Sequence, residues 1–153
     1  MKILSIVGAR LQFIKLAPLD RNLRLANKHI IVHTGQHYDL NMSEIFFDYL
    51  KTPSTDYNLE VGSASSSVQT AIIMKRIKKV FLNQKPDLTI GYGDTNSTVA
   101  GALVNVQNDI PVAHVEAGPI NNKINISEML NRIITDHISS LLFCATKKNV
   151  NTL

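Results

Sequence analysis

Tryptophan is absent from the sequence, and Cys144 is its one cysteine. A lone thiol closes no internal disulfide, which excludes a disulfide-stapled secreted scaffold and fits a reducing compartment. Set in the apolar run Leu141-Leu142-Phe143-Cys144, it reads as a small buried hydrophobe. Aromatic residues are sparse, with four tyrosines and five phenylalanines spread thinly, so no platform for stacking bases is visible. Long hydrophobic runs are missing as well. None approaches the roughly 18 apolar residues that span a bilayer, and Ile3 to Val7 is too short for a signal-peptide core before Gly8-Ala9-Arg10 interrupts it. A cytoplasmic protein with no membrane or nucleic-acid partner is expected. Charge of one sign is also scarce: sixteen Lys and Arg against twelve Asp and Glu leave +4, which favours an anionic ligand but is too scattered for nucleic acid. No Cys, His and carboxylate cluster has metal spacing, so neither His37 nor His114 reads as part of a metal site. Gly8 is followed by no G-x-x-G and by no Walker loop, and no Gly-x-Ser-x-Gly elbow occurs, which argues against a dinucleotide fingerprint and a serine hydrolase.

What is present is a chain of 153 residues, 44% hydrophobic and 18% charged, enough for one compact domain over residues 1–153. Ile3 to Val7 is a continuous apolar run ended by Gly8, the pattern of a strand buried on both faces. A helix follows through Phe13, Leu16, Leu19 and Leu23, with Pro18 as a kink point. His29 to Thr34 is the second strand, Met42 to Leu50 a helix, and Tyr57 to Val61 a short edge strand. The Gly62 to Ser67 stretch reads as a loop whose serines cap the helix Val68 to Asn83, and Lys75, Arg76, Lys78 and Lys79 lie on that helix's solvated side. Leu88 to Tyr92, Pro111 to Val115 and Leu141 to Ala145 are further strands, separated by helices from Thr95 and from Ser127. The alternation predicts an α/β fold, a single Rossmann-like, doubly wound parallel sheet ordered 3-2-1-4-5-6.

The chain is organised around Asp87 to Gly118, a β-α-β unit with a carboxylate at the carboxyl end of each strand. Such ends face one crevice in a parallel sheet, so Asp94 and Glu116 are expected in one site. Asp94 also stands where a helix cap would, before Thr95-Asn96-Ser97. Glu116 caps no helix and follows a strand that should be buried, so it needs a partner or a functional reason. Glu128 lies at a helix start, where the dipole favours a carboxylate, and Arg132 one turn on is placed to pair with it. Gly8-Ala9-Arg10 offers free N–H groups at a helix start that attract anions, with Arg10 and Lys15 as added charges. Carboxylates with an Arg and a Lys in one crevice suit acid and base work on a substrate with a phosphate leaving group.

At these residues the chain resembles the non-hydrolysing UDP-N-acetylglucosamine 2-epimerases, across all 153 residues but only the N-terminal half of that family's chain. The likeness rests on Gly8-Ala9-Arg10 with Lys15, Gln36-His37, Gly93-Asp94-Thr95, His114-Val115-Glu116-Ala117-Gly118, Glu128 with Asn131-Arg132, and Asp136-His137. It implies the N-terminal lobe of a two-lobed, glycosyltransferase-B-type fold with a UDP-sugar between the lobes. It implies epimerisation at sugar carbon 2, by elimination of UDP to a glycal and re-addition from the other face, without a redox cofactor. Asp94, Glu116 and Glu128 match the family's acid/base carboxylates, Arg10 and Lys15 its basic residues near the diphosphate, and Gln36 and His37 its substrate contacts. The family commonly forms homodimers. Departures gather at the site. Family Gly-Thr-Arg-Pro-Glu is here Gly8-Ala9-Arg10-Leu11-Gln12, Leu-Arg after Gly118 is Pro119-Ile120, and Pro-Glu-Glu is Ser127-Glu128-Met129. With the second lobe missing, three outcomes stand: an epimerase lobe weak or inactive alone, one restored by a complementary second-lobe chain, or a non-catalytic relic or assembly subunit. A glycosyltransferase fragment would share the architecture but accounts less well for the Asp94, Glu116 and Glu128 set.

Overall fold

The computed structural model describes residues 1–36, 54–119 and 126–153. Its strands are β1 (Lys2–Val7), β2 (Lys28–His33), β3 (Tyr57–Asn58), β4 (Leu88–Tyr92), β5 (Val112–Val115) and β6 (Leu141–Phe143). Its helices are α1 (Arg10–Leu23), α2 (Ser66–Gln84), α3 (Asn96–Val106), α4 (Ser127–Ile138) and a short α5 (Lys147–Val150). The strands form one sheet in the order β3-β2-β1-β4-β5-β6, every neighbouring pair parallel. This is the expected order. The helix expected at Met42 to Leu50 lies outside the described residues.

β1 sits mid-sheet because its residues are apolar on both faces. Ile3 and Val7 join Phe13 and Leu16 of α1 with Ile31, Ile90 and Tyr92 in one core cluster. Leu4 and Ile6 point the other way, to Ile77, Val80 and Phe81 of α2 and Val104 of α3. Two dry layers on one strand explain why the sequence shows a run and not an alternation. α3 packs between α2 and α4 and is buried along most of its length. Its small residues allow this: a Cβ on Gly101 would strike Ile6 Cδ1 of β1. α1 continues through Pro18.

Three local readings are corrected. The serine cluster does not cap α2: Ser65 makes no capping bond, and Ser66 Oγ instead donates to Asn96 Oδ1 at 2.8 Å. The basic residues of α2 are exposed as expected, and Arg76 in addition donates to the carbonyls of Leu59 and Glu60, pinning the segment after β3. β6 is shorter than expected, and its Leu141, Leu142 and Phe143 are exposed at the sheet edge. Cys144 is therefore half-buried, not a core hydrophobe. Among the described residues no helix is long and apolar enough to cross a membrane.

Candidate active site

The site lies at the carboxyl ends of β1, β2, β4 and β5. β4 ends in Gly93-Asp94 and β5 in Glu116-Ala117-Gly118. Gly93, Glu116 and Gly118 all have left-handed backbones, with φ of 66°, 68° and 88°. For glutamate that conformation costs about 1–3 kcal/mol, so neighbouring bonds must hold it. Glu116 N–H and Ala117 N–H both donate to Phe143 O, Gly118 N–H donates to Asp136 Oδ2, and Arg132 donates to Glu116 O.

Each carboxylate at a strand end has a cation. Lys15 Nζ, from α1, lies 2.5 Å from Glu116 Oε2, and Arg132 of α4 lies 2.5 Å from Asp94 Oδ2. Arg132 thus grips the side chain of Asp94 and the backbone of Glu116 together. The pairing of Arg132 with Glu128 expected from i,i+4 spacing is not formed, because Arg132 turns inward and is buried. Nor is Asp94 the cap of α3; Thr95 fills that place, its Oγ1 accepting from Thr98 N–H at 3.3 Å. Arg132 Nε is buried and has no hydrogen-bond partner among the described residues. A bound anion or water is what such a leftover donor takes up. Gly93 serves this arrangement through its φ of 66° and not through space, since a Cβ there would only reach van der Waals contact with Glu116 Oε2 at 3.4 Å and Lys15 Nζ at 3.9 Å.

The expected anion cradle at Gly8-Ala9-Arg10 is occupied from within. Gln12 Oε1 accepts from Gly8 N–H at 2.6 Å and Ala9 N–H at 3.0 Å. Its Nε2 donates to Tyr92 O at 2.5 Å and to the hydroxyls of Thr95 and Thr98. Gln12 therefore ties the turn after β1 to the turn after β4, a role hidden in a sequence where it reads as a missing carboxylate. Arg10 is exposed at the first residue of α1.

Beside Asp94 opens a cleft of about 340 Å³, whose lining includes Gln36, Gln69, Asp94, Asn96, Glu128 and Asn131. Gln36 Oε1 accepts from Ser97 Oγ at 2.6 Å, Gln69 Nε2 donates to Gln36 O, Asn96 Nδ2 to Gln69 Oε1, and Asn131 Nδ2 to Asn96 Oδ1. The floor is thus a closed amide network. Glu128 stands exposed on its rim with no ion pair among the described residues. Arg10, Lys15 and Glu116 lie outside the cleft lining, and His37 lies outside the described residues. Gln69 was missed, and Gln12, Asn96 and Asn131 were noted without their part in these hydrogen bonds. The available signal was a polar residue in an apolar stripe: Gln69 precedes Ile73 and Ile77 at i,i+4, and Gln12 precedes Leu16 likewise.

Another polar chain imitates a nucleophile triad. Ser5 Oγ lies 2.8 Å from His29 Nε2 and 2.9 Å from Tyr92 Oη, and His29 Nδ1 lies 2.7 Å from Asp20 Oδ1. Ser5, His29, Asp20 and Tyr92 are all sealed in the core. Burial pushes His29 below its ordinary range in spite of Asp20 beside it, and pushes Tyr92 up. A neutral His29 donating to Asp20 and accepting from Ser5 satisfies every member, so the chain is a structural strut. Among the described residues no group of three His, Cys, Asp or Glu side chains is placed to hold a metal.

With this geometry in place, comparison with known proteins decides the lineage. The model of the family UDP-N-acetylglucosamine 2-epimerase matches residues 21–153. The chain belongs to this family. It is 52% identical over 147 residues to a UDP-N-acetylglucosamine 2-epimerase homolog of Methanococcus maripaludis, covering 96% of this chain and 41% of that protein. It is 44% identical over 155 residues to the UDP-2,3-diacetamido-2,3-dideoxy-D-glucuronate 2-epimerase of Pseudomonas aeruginosa, covering 100% of this chain and 44% of that protein. Its structure matches that of Methanocaldococcus jannaschii UDP-GlcNAc 2-epimerase in complex with UDP-GlcNAc and UDP, with a TM-score of 0.96 at 45% identity, over 99% of this chain and 42% of that one. The chain thus spans about two-fifths of the length of the epimerases it matches.

Proposed function

We propose that this chain is the N-terminal lobe of a UDP-sugar 2-epimerase, interconverting UDP-GlcNAc and UDP-ManNAc. A base takes the proton from sugar carbon 2, the bond from carbon 1 to the diphosphate breaks, and the electron pair becomes the glycal double bond. Return of a proton to the opposite face and re-addition of UDP at carbon 1 complete the turnover. The substrate ends at the oxidation level where it began, so no redox cofactor is consumed. Asp94, Glu116 and Glu128 serve as the proton-exchanging groups. Lys15 stabilises the charge that shifts between Glu116 and the departing diphosphate, Arg10 binds the diphosphate, and Gln36 and His37 contact the substrate. The observation that carries this reading is the pair of cation-held carboxylates, Lys15 with Glu116 and Arg132 with Asp94, at adjacent strand ends. Its lobe superposes on that of an enzyme crystallised with UDP-GlcNAc and UDP.

The exposed apolar edge at Leu141, Leu142 and Phe143 favours a second element of the same reading. A complementary lobe covers that edge and closes the cleft, and the crevice reaches full activity only when it does. Homodimer formation and a cytoplasmic setting belong to this proposal. The rival is a non-catalytic assembly subunit that uses the open half-site as its interface.

Proton NMR of UDP-GlcNAc in deuterated water decides between them. Loss of the carbon-2 proton signal and growth of the manno epimer are expected with the chain, alone or with a complementary lobe. Asp94→Asn and Glu116→Gln should each slow the exchange by about 100-fold or more. Absence of exchange under both conditions would sink the enzyme and leave the assembly subunit.

A further inference from the structure

The Glu116 turn is not self-supporting. Its left-handed glutamate needs outside bonds to stay in place, whereas Gly118 two residues on takes its left-handed φ freely. One source of those bonds is a side chain from the strand that carries the turn. His114 of β5 is wholly buried; its Nδ1 lies 2.6 Å from Asp136 Oδ1 of α4, and its Nε2 lies 2.6 Å from Gly93 O. The other oxygen of Asp136 accepts from Gly118 N–H at 3.1 Å.

A donor and acceptor count fixes what this unit requires. Gly93 O is a carbonyl and only accepts, so His114 Nε2 must carry a proton. Asp136 Oδ2 faces an N–H and must accept, so the proton between His114 Nδ1 and Asp136 Oδ1 completes the set. One carboxyl group thereby anchors Gly118 beyond Glu116 and, through the ring, Gly93 before Asp94. Gly93 N–H closes the circuit by donating to Val115 O at 2.9 Å. The two turns that bear the paired carboxylates are strapped to each other and to α4. On the same face of α4, Arg132, one turn before Asp136, also grips both turns.

We propose that His114 and Asp136 form a positioning pair that sets the separation and aim of Asp94 and Glu116 without touching the substrate. The proposal rests on the epimerase reading for its catalytic consequence, but its structural claim stands apart from it. A core pair that merely stabilised the fold would lower global stability evenly. A positioning pair loosens one turn and leaves the rest of the sheet alone.

The test uses Asp136→Ala in the full chain, labelled with nitrogen-15. Alanine removes both acceptor oxygens, which leaves Gly118 N–H and the Nδ1 side of His114 without their partner. Hydrogen exchange at the Gly118 and Glu116 amides is expected to rise by about tenfold or more, while the Leu4 and Ile31 amides keep their protection. In the proton-exchange assay, kcat should fall by about 100-fold with KM within about twofold of the wild type. Asp136→Glu, which keeps two acceptors, should restore part of the rate. His114→Gln, which keeps a donor toward Gly93, is the second variant should Asp136→Ala fail to fold. The proposal is overturned if Gly118 and Leu4 lose protection together, if neither changes, if KM rises at constant kcat, or if neither variant folds. If the unmodified chain turns nothing over, alone or with a complementary lobe, the epimerase reading fails on its own, and the amide exchange still decides the strap.

Discussion

At the scale of the residue, this site is built by amide and carboxylate groups that each satisfy several partners. Gln12 is the plainest case, with two backbone donors on its oxygen and a carbonyl and two hydroxyls around its nitrogen. Gln12→Leu would strand Gly8 N–H and Ala9 N–H beneath the turn. We expect a loss of about 1–3 kcal/mol in urea unfolding, since buried donors left without acceptors cost that much. Histidines set a second expectation. Burial holds His33 down to about 4 from its ordinary 6.5, and His29 is lowered for the same chief reason. A depressed histidine is neutral in the folded chain while the unfolded chain already binds the proton. Stability is therefore full above about pH 6.5 and declines as the pH falls from 6.5 toward 4. His33 alone would account for up to about 3 kcal/mol of that decline. Unfolding midpoints at pH 7 and pH 5 should separate in the wild type and draw together in His33→Leu.

At the scale of the element, the design is a meeting of strand ends with the start of α3. Gly8 closes β1 where Ser97 and Thr34 pass, and a Cβ there would overlap both hydroxyls and approach Ser97 Cβ to 2.9 Å. Those hydroxyls bond each other at 2.8 Å. Gly8→Ala should therefore break that bond and prise β1 from α3, lowering the melting temperature by the equivalent of about 1–3 kcal/mol. Thermal unfolding by circular dichroism measures it, and an unchanged midpoint would show that the turn can yield. The elements themselves were readable because each announces itself locally: a doubly buried strand as an apolar run, a helix by its period, a turn by glycine. The sharing of one crevice by Asp94 and Glu116 was equally readable, since a parallel sheet sends both strand ends the same way. Their partners were not. Lys15 reaches Glu116 across 101 residues of sequence and Arg132 reaches Asp94 across 38, and no local rule pairs groups so far apart.

At the scale of the whole molecule, one sheet covered on both faces carries its polar site at one end and an exposed apolar strand at one edge. The relatives are more than twice as long, and the proposed complementary lobe would meet both features at once. The sequence by itself determined the strand order, because alternating strands and helices with right-handed crossovers leave few ways to wind a parallel sheet. It also determined the lineage, through motifs held in order along the chain. Tertiary structure alone decided which charges pair, that Gln12 fills the cradle expected for an anion, and that Asp94 is left to Arg132 and not spent on a helix cap. Those outcomes depend on side chains from distant segments competing for the same few donors and acceptors. That competition is settled by distance and burial in three dimensions, which spacing along a chain does not encode.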